Sequence, residues 1–138
     1  MVEIIAGVKG TGKTRRMLDS AEEDVRSADG LVVYIDKSDQ RMLELNSKIR
    51  MIDMSRYPVS NLDGFVGFLC GSLSQNRDIQ KIYLDSFLAI AHITAEEDIS
   101  RAVHFLERAS DKFDVDFIVS ISKNPAELPG DVSDLVSD

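Results

Sequence analysis

Gly7-Val8-Lys9-Gly10-Thr11-Gly12-Lys13-Thr14 puts glycine, glycine, lysine and threonine at the fixed positions of G-x-x-x-x-G-K-[ST]. Those residue types suit chemistry on a polyphosphate. Such an anion needs many donors close together and no side chain in the way. Gly7, Gly10 and Gly12 permit backbone geometries that other residues resist. Successive N–H groups can then turn inward as an anion nest, and a helix starting near Lys13 aims its positive end at the same point. Lys13 can reach β- and γ-phosphate oxygens, and the Thr14 hydroxyl can ligate Mg²⁺.

The elements around the motif agree with it. Val2-Glu3-Ile4-Ile5-Ala6 before it reads as a strand, and residues 13–27 after it read as a helix with Met17, Leu18, Ala21 and Val25 on one stripe. Strand, glycine loop and helix together make a P-loop, whose nucleotide contacts are expected from Gly7, Val8, Lys9, Gly10, Thr11, Gly12, Lys13, Thr14 and Arg15. From average residue usage, the four fixed positions alone would arise by chance in about one chain of this length in 200.

Further along, Leu31-Val32-Val33-Tyr34-Ile35 is a continuous apolar run, as in a strand buried on both faces, and it ends at Asp36. A short helix is expected over residues 40–46, and a weaker strand over 49–53 whose internal Arg50 points to a sheet edge. Asn61 or Asp63 can cap a helix over residues 62–74. Gly64, Gly67 and Gly71 share one face of that helix, which implies tight packing there, against the sheet or a partner. Cys70, on the same helix, reads as a small buried hydrophobe.

Ile79-Gln80-Lys81-Ile82-Tyr83-Leu84 reads as the next strand and delivers Asp85 at its exit, the form of a second Mg²⁺ carboxylate acting through water. Phe87-Leu88-Ala89-Ile90-Ala91-His92-Ile93 is unusually apolar for a connection. It points either to a fold-back under the next helix or to a contact with a second copy or a protein partner. Thr94-Ala95-Glu96-Glu97 has capping-box spacing, and Ile99, Ala102, Val103, Leu106, Ala109 and Phe113 form the stripe of the helix that follows. Phe117-Ile118-Val119-Ser120-Ile121 is a fifth strand. The acidic tail from Glu127 is expected to be a solvated end, with a helical turn at Leu135-Val136.

This alternation predicts an α/β fold, a doubly wound parallel five-stranded sheet in one domain over residues 1–138. Net charge is −8, which disfavours nucleic acid or an anionic membrane as the main partner. One cysteine allows no internal disulfide and fits a reduced, cytoplasmic setting. No apolar run approaches the length of a membrane span, and no signal-peptide pattern is present.

The chain resembles the RecA-like branch of P-loop NTPases. The resemblance rests on residues 7–14, on Tyr34-Ile35-Asp36, on Leu84-Asp85-Ser86 and on Ile121-Ser122. It covers roughly residues 1–124 and also looks like small stand-alone bacterial P-loop domains of unassigned role. It implies strand order 3-2-4-5-1 and ATP with Mg²⁺ as cofactors. RecA-like ATPases polarise the attacking water with a glutamate after strand two or beside the second carboxylate. Here Lys37 follows Asp36 and Ser86 follows Asp85, so the catalytic candidates reduce to Lys13 for charge and Asp36 or Asp39 for ordering water. The expectation is an ATP-binding protein with slow or conditional ATPase activity. A small-molecule kinase and a nucleotide-dependent interaction module without turnover stay open. A GTPase is disfavoured, since neither Asn-Lys-x-Asp nor Asp-x-x-Gly after the Asp85 strand is present.

Overall fold

A computed structural model describes residues 1–137. Five strands form one all-parallel sheet: β1 (Val2–Ala6), β2 (Leu31–Asp36), β3 (Arg50–Asp53), β4 (Ile79–Leu84) and β5 (Asp116–Ile121). The order across the sheet is β1-β5-β4-β2-β3, which reads 3-2-4-5-1 from the β3 side. Arg50 does lie on an edge strand and is exposed. Three longer helices connect the strands: α1 (Lys13–Ser27), α2 (Leu62–Gln75) and α4 (Glu96–Phe113). Two short ones, α3 (Phe87–Ile90) and α5 (Gly130–Ser133), complete the set.

Alternation along the central strands divides the core in two. On one face Met17, Leu18 and Ala21 of α1 pack with Ile5, Val32, Tyr34, Tyr83 and Ile118. On the other, Phe65, Leu69 and Leu73 of α2 and the Ile99–Leu106 stripe of α4 cover Ile4, Val33, Ile35, Ile82, Leu84 and Val119. Helices on both faces explain why β2 and β5 are apolar in succession rather than alternating. Each such buried side chain is worth roughly 1.5–3 kcal/mol relative to exposure. Among the described residues, no helix is long and apolar enough to cross a membrane.

Five local expectations are corrected. The segment after β2 forms only a 3₁₀ turn, Met42–Glu44. Leu43 stays 95% exposed, so a longer helix had no face to bury, and Asn46 Oδ1 takes the Lys48 N–H in a competing local turn. The glycine face of α2 is not packed against the sheet: only Gly64 has near neighbours, Asn61 and Val59 of the chain just before the helix. Gly64, Gly67 and Gly71 are exposed, and a Cβ added at Gly67 or Gly71 would meet nothing within 4 Å. Cys70 beside them is half-buried. No capping box forms at α4, whose cap is Ala95 with no side-chain bond. Its first turn instead sets Glu96, Glu97 and Asp98 against the helix dipole.

The tail is the fifth case. Leu128 and Val132 are buried, and the chain after α5 docks on the outer side of β1. Ile4 N–H donates to Leu135 O at 3.0 Å, and Ser137 N–H donates to Ile4 O at 2.9 Å. Leu135 N–H and Val136 N–H donate to Val132 O and Ser133 O, so the expected turn forms at the end of α5, and Val136 also makes a parallel bridge to Ile4. The bridge satisfies backbone groups that an edge strand would otherwise leave open.

Residues 87–93 resolve as the fold-back. Phe87, Ile90, Ala91 and Ile93 are buried in the core under α4 and α2, with Phe87 edge-on to Phe65 at 6.2 Å between centroids. Leu88 is half-buried and Ala89 exposed.

Candidate functional site

The carboxyl ends of the parallel strands, where open α/β sheets present their ligand crevices, carry a cleft of about 650 Å³. β1 contributes the loop of residues 7–12, β4 contributes Asp85, and β2 contributes Asp36 and the chain that follows.

The loop is shaped by two left-handed glycines, Gly10 at φ 89° and Gly12 at φ 83°. At both, a Cβ would meet nothing within 4 Å, so the cleft side of the loop is open. Gly7 is needed for a different reason: a Cβ there would lie 2.6 Å from Thr11 Oγ1. That hydroxyl donates to Val8 O at 2.8 Å and closes the loop tip. Gly7 N–H donates to Ile121 O at 3.2 Å and ties the loop to β5.

Gly12 caps α1 without a side-chain bond, and the first turn of α1 holds no acid. It holds Lys13, Thr14, Arg15 and Arg16 instead. Cations at the positive end of a helix dipole are unfavourable unless an anion joins them. Lys13 Nζ donates to Val8 O at 3.1 Å, folded back on its own loop. Burial lowers its pKa, against the opposing pull of Asp85.

Asp85 is 2% exposed and held from three directions. The Tyr34 hydroxyl donates to Oδ2 at 2.6 Å, the Ser120 hydroxyl to Oδ1 at 2.9 Å, and Thr14 Oγ1 lies 3.4 Å from Oδ1. Ser120 Oγ also accepts the Ser86 N–H at 2.8 Å, which pins a residue in the left-handed region at φ 61°. Oδ2, with Tyr34 as its one donor, keeps a lone pair for a further ligand or water.

Asp36 neighbours Asp85, because Ile35 and Leu84 are paired in register and Asp85 N–H donates to Ile35 O. Burial first, and the Asp85 charge second, push the Asp36 carboxyl up to about 6, while the Lys37 N–H at 2.7 Å opposes the shift. A base near neutral pH needs such a value.

Of the residues singled out from sequence, Lys9, Gly10, Gly12, Lys13, Thr14, Arg15, Asp36 and Asp85 line the cleft. Gly7, Val8 and Thr11 build the loop without lining it. Asp39 does not line it either: it is exposed and pairs with Arg56 at 3.9 Å. Of the two carboxylates after β2, Asp36 lines the cleft and Asp39 does not.

Sequence reasoning missed Lys37, Gln40, Arg41 and Ser122 in the lining, and Tyr34 behind Asp85. Ser120 could have been found, as the one polar residue inside an otherwise apolar strand. Tyr34 could not, since its ring reads as core and only the fold aims its hydroxyl. Among the described residues no three His, Cys, Asp or Glu side chains cluster as a metal cage. Mg²⁺ does not ask for one, since it usually keeps waters and takes one or two carboxylates plus phosphates. Thr14 and Asp85 fit that donor set.

No protein-family model matches the chain, and no curated protein matches it.

Proposed function

We propose that this protein binds a Mg-nucleotide of the ATP class in the cleft above β1, β4 and β2, and hydrolyses it slowly or only under particular conditions. The observation that carries the reading is the loop itself. Two left-handed glycines open toward a cleft where an uncapped helix N-terminus, Lys13 and a buried Asp85 converge. That combination suits a polyphosphate with its divalent cation and serves no evident purpose in folding. The RecA-like resemblance of residues 7–14 and of the strand ends supports the same assignment.

In this reading the loop N–H groups and the start of α1 bind the phosphates. Lys13 leaves the Val8 carbonyl for the β/γ oxygens, a charge-assisted contact stronger than the one it gives up. Thr14 and Asp85 would hold Mg²⁺, Asp85 through water, with Tyr34 and Ser120 fixing the carboxylate's orientation. When bound, Mg²⁺ neutralises charge on the transferring phosphate. Asp36 orders a water and accepts its proton. Aspartate reaches less far than the glutamate of RecA-like ATPases, which is why turnover is slow. The single half-buried cysteine fits a reduced, cytoplasmic setting.

Calorimetry with Mg-ATP and Mg-ADP tests the reading. Wild type should bind both, and Lys13→Ala should weaken both by about tenfold or more. Equal affinity of wild type and Lys13→Ala would refute it.

A further inference from the structure

The cleft wall opposite the glycine loop carries an arginine that the nucleotide reading leaves unused. We propose that Arg41 is a second phosphate-binding cation, gripping the terminal phosphate of a nucleoside triphosphate from the β2 side, with Glu44 as its positioning residue. The inference rests on the nucleotide reading above and adds to it the means by which a triphosphate is told from a diphosphate.

Two arginines of the lining converge on one carboxylate outside it. Arg15 Nη2 donates to Glu44 Oε1 at 2.7 Å, and Arg41 Nη1 donates to Glu44 Oε2 at 3.0 Å. Both arginines line the cleft and Glu44 does not, so the carboxylate holds them from behind. Their remaining donors differ. Arg15 spends its Nη1 on Asp19 at 3.5 Å. Arg41 has no partner besides Glu44 among the described residues, so Nη2 and Nε are left to give. A guanidinium anchored by one arm and open on the others is already oriented for a phosphate, which lowers the entropic cost of the contact.

Sheet order decides which phosphate it meets. Across the strand ends come the loop after β1, then β5, then Asp85 after β4, then Asp36 through Arg41 after β2. A polyphosphate anchored in the loop and running along this line brings its distal phosphate toward Arg41. Charge favours the arrangement: Lys9, Lys13, Arg15, Lys37 and Arg41 face Asp36 and Asp85, a local excess of positive charge in a chain of net charge −8. The Arg41 proton is held above its ordinary value by Glu44 first and by Asp36 and Asp85 further, as expected for a cation facing the carboxylates of the cleft.

Titration calorimetry of wild type, Arg41→Gln, Arg41→Lys and Glu44→Gln with Mg-ATP and Mg-ADP tests this. Arg41→Gln should weaken Mg-ATP about tenfold and change Mg-ADP less than about twofold, and Arg41→Lys should recover part of the loss. Glu44→Gln separates positioning from simple charge. Removing a negative charge beside the cleft would by itself tighten both nucleotides, whereas a loss of positioning weakens Mg-ATP more than Mg-ADP, since Glu44 holds Arg15 as well as Arg41. Arg41→Gln shifting both nucleotides equally, or neither, overturns the inference and leaves the nucleotide reading standing. Glu44→Gln tightening both nucleotides overturns the positioning role. Failure of wild type to bind either nucleotide overturns both readings together.

Discussion

The Tyr34 hydroxyl donates to Asp85 Oδ2 at 2.6 Å, with both residues almost fully buried. The tyrosine ring stacks on Tyr83, the next residue across the sheet, at 5.8 Å between centroids. Tyr83 in turn bonds Asp24 and Ser20 of α1, and Asp24 pairs with Lys81 at 2.9 Å. The carboxylate of the cleft is thus braced through the core to the helix that the glycine loop begins.

Tyr34→Phe removes the donor and keeps the ring. A buried carboxylate oxygen is then left unpaired, at a cost of about 1–3 kcal/mol. Chemical denaturation should show that loss, and Mg-nucleotide affinity should fall with it because Asp85 loses one of its two firm anchors. A variant as stable as wild type would mean that water replaces the hydroxyl without penalty.

Gly67 and Gly71 offer the opposite sign. Both lie inside α2, exposed, with open space where a Cβ would stand. Alanine at either should stabilise by about 0.5–1 kcal/mol through propensity alone. Thermal unfolding of the two variants checks this. A loss of stability would show that the face is covered by another molecule in solution.

The parts of the fold that were legible are those where one signal acts locally. The loop and α1 were readable because glycine positions and a 3.6-residue stripe both sit within residues 7–27. β2, β4 and β5 were readable because burial on both faces makes them apolar throughout. Other features depend on partners distant in sequence. Ile4 meets Leu135 and Ser137 only after the sheet exists, so the tail looked solvated. The exposed glycines of α2 were misread because a costly residue was assumed to be repaid by packing. Arg41 carried no pattern of its own, since its place follows from how the chain turns after β2.

Asp36 should make stability depend on pH. Its carboxyl lies at about 6 in the folded protein against 3.8 when unperturbed, because burial disfavours the charge and Asp85 repels it. For an acid raised on folding, the stabilisation is complete below the unfolded value and is lost as pH rises through about 6. The loss amounts to roughly 3 kcal/mol by pH 8. Asp36→Asn keeps an acceptor for the Lys37 N–H without the charge. Urea titrations should find it more stable than wild type at pH 8, with the advantage shrinking toward pH 5. An advantage of the same size at both pH values would contradict the assignment.

Hydrolysis should follow the same carboxylate. Asp36 and Asp85 are the acids lining the cleft, and Asp85 is tied to Tyr34 and Ser120, so Asp36 is left to take the proton of an attacking water. It can do so only when ionised, which requires pH above about 6. The acid limb of phosphate release should therefore lie near pH 6 in kcat/KM, which reports the free protein, and should move to lower pH in kcat, where Mg²⁺ on Asp85 offsets the charge that raises Asp36. On the proposed function turnover should stay well below the enzyme median of about 10 s⁻¹, since an aspartate base reaches less far than a glutamate. Asp36→Asn should remove the pH-dependent limb and lower turnover by about 10²-fold or more, the usual worth of a positioned base. Its Mg-ADP affinity should change far less than its turnover, because the Asp36 carboxylate is bonded to Lys37 N–H and not to the glycine loop. A wild type turning over at the median rate, or an Asp36→Asn variant with the same pH profile as wild type, would remove Asp36 from the reaction.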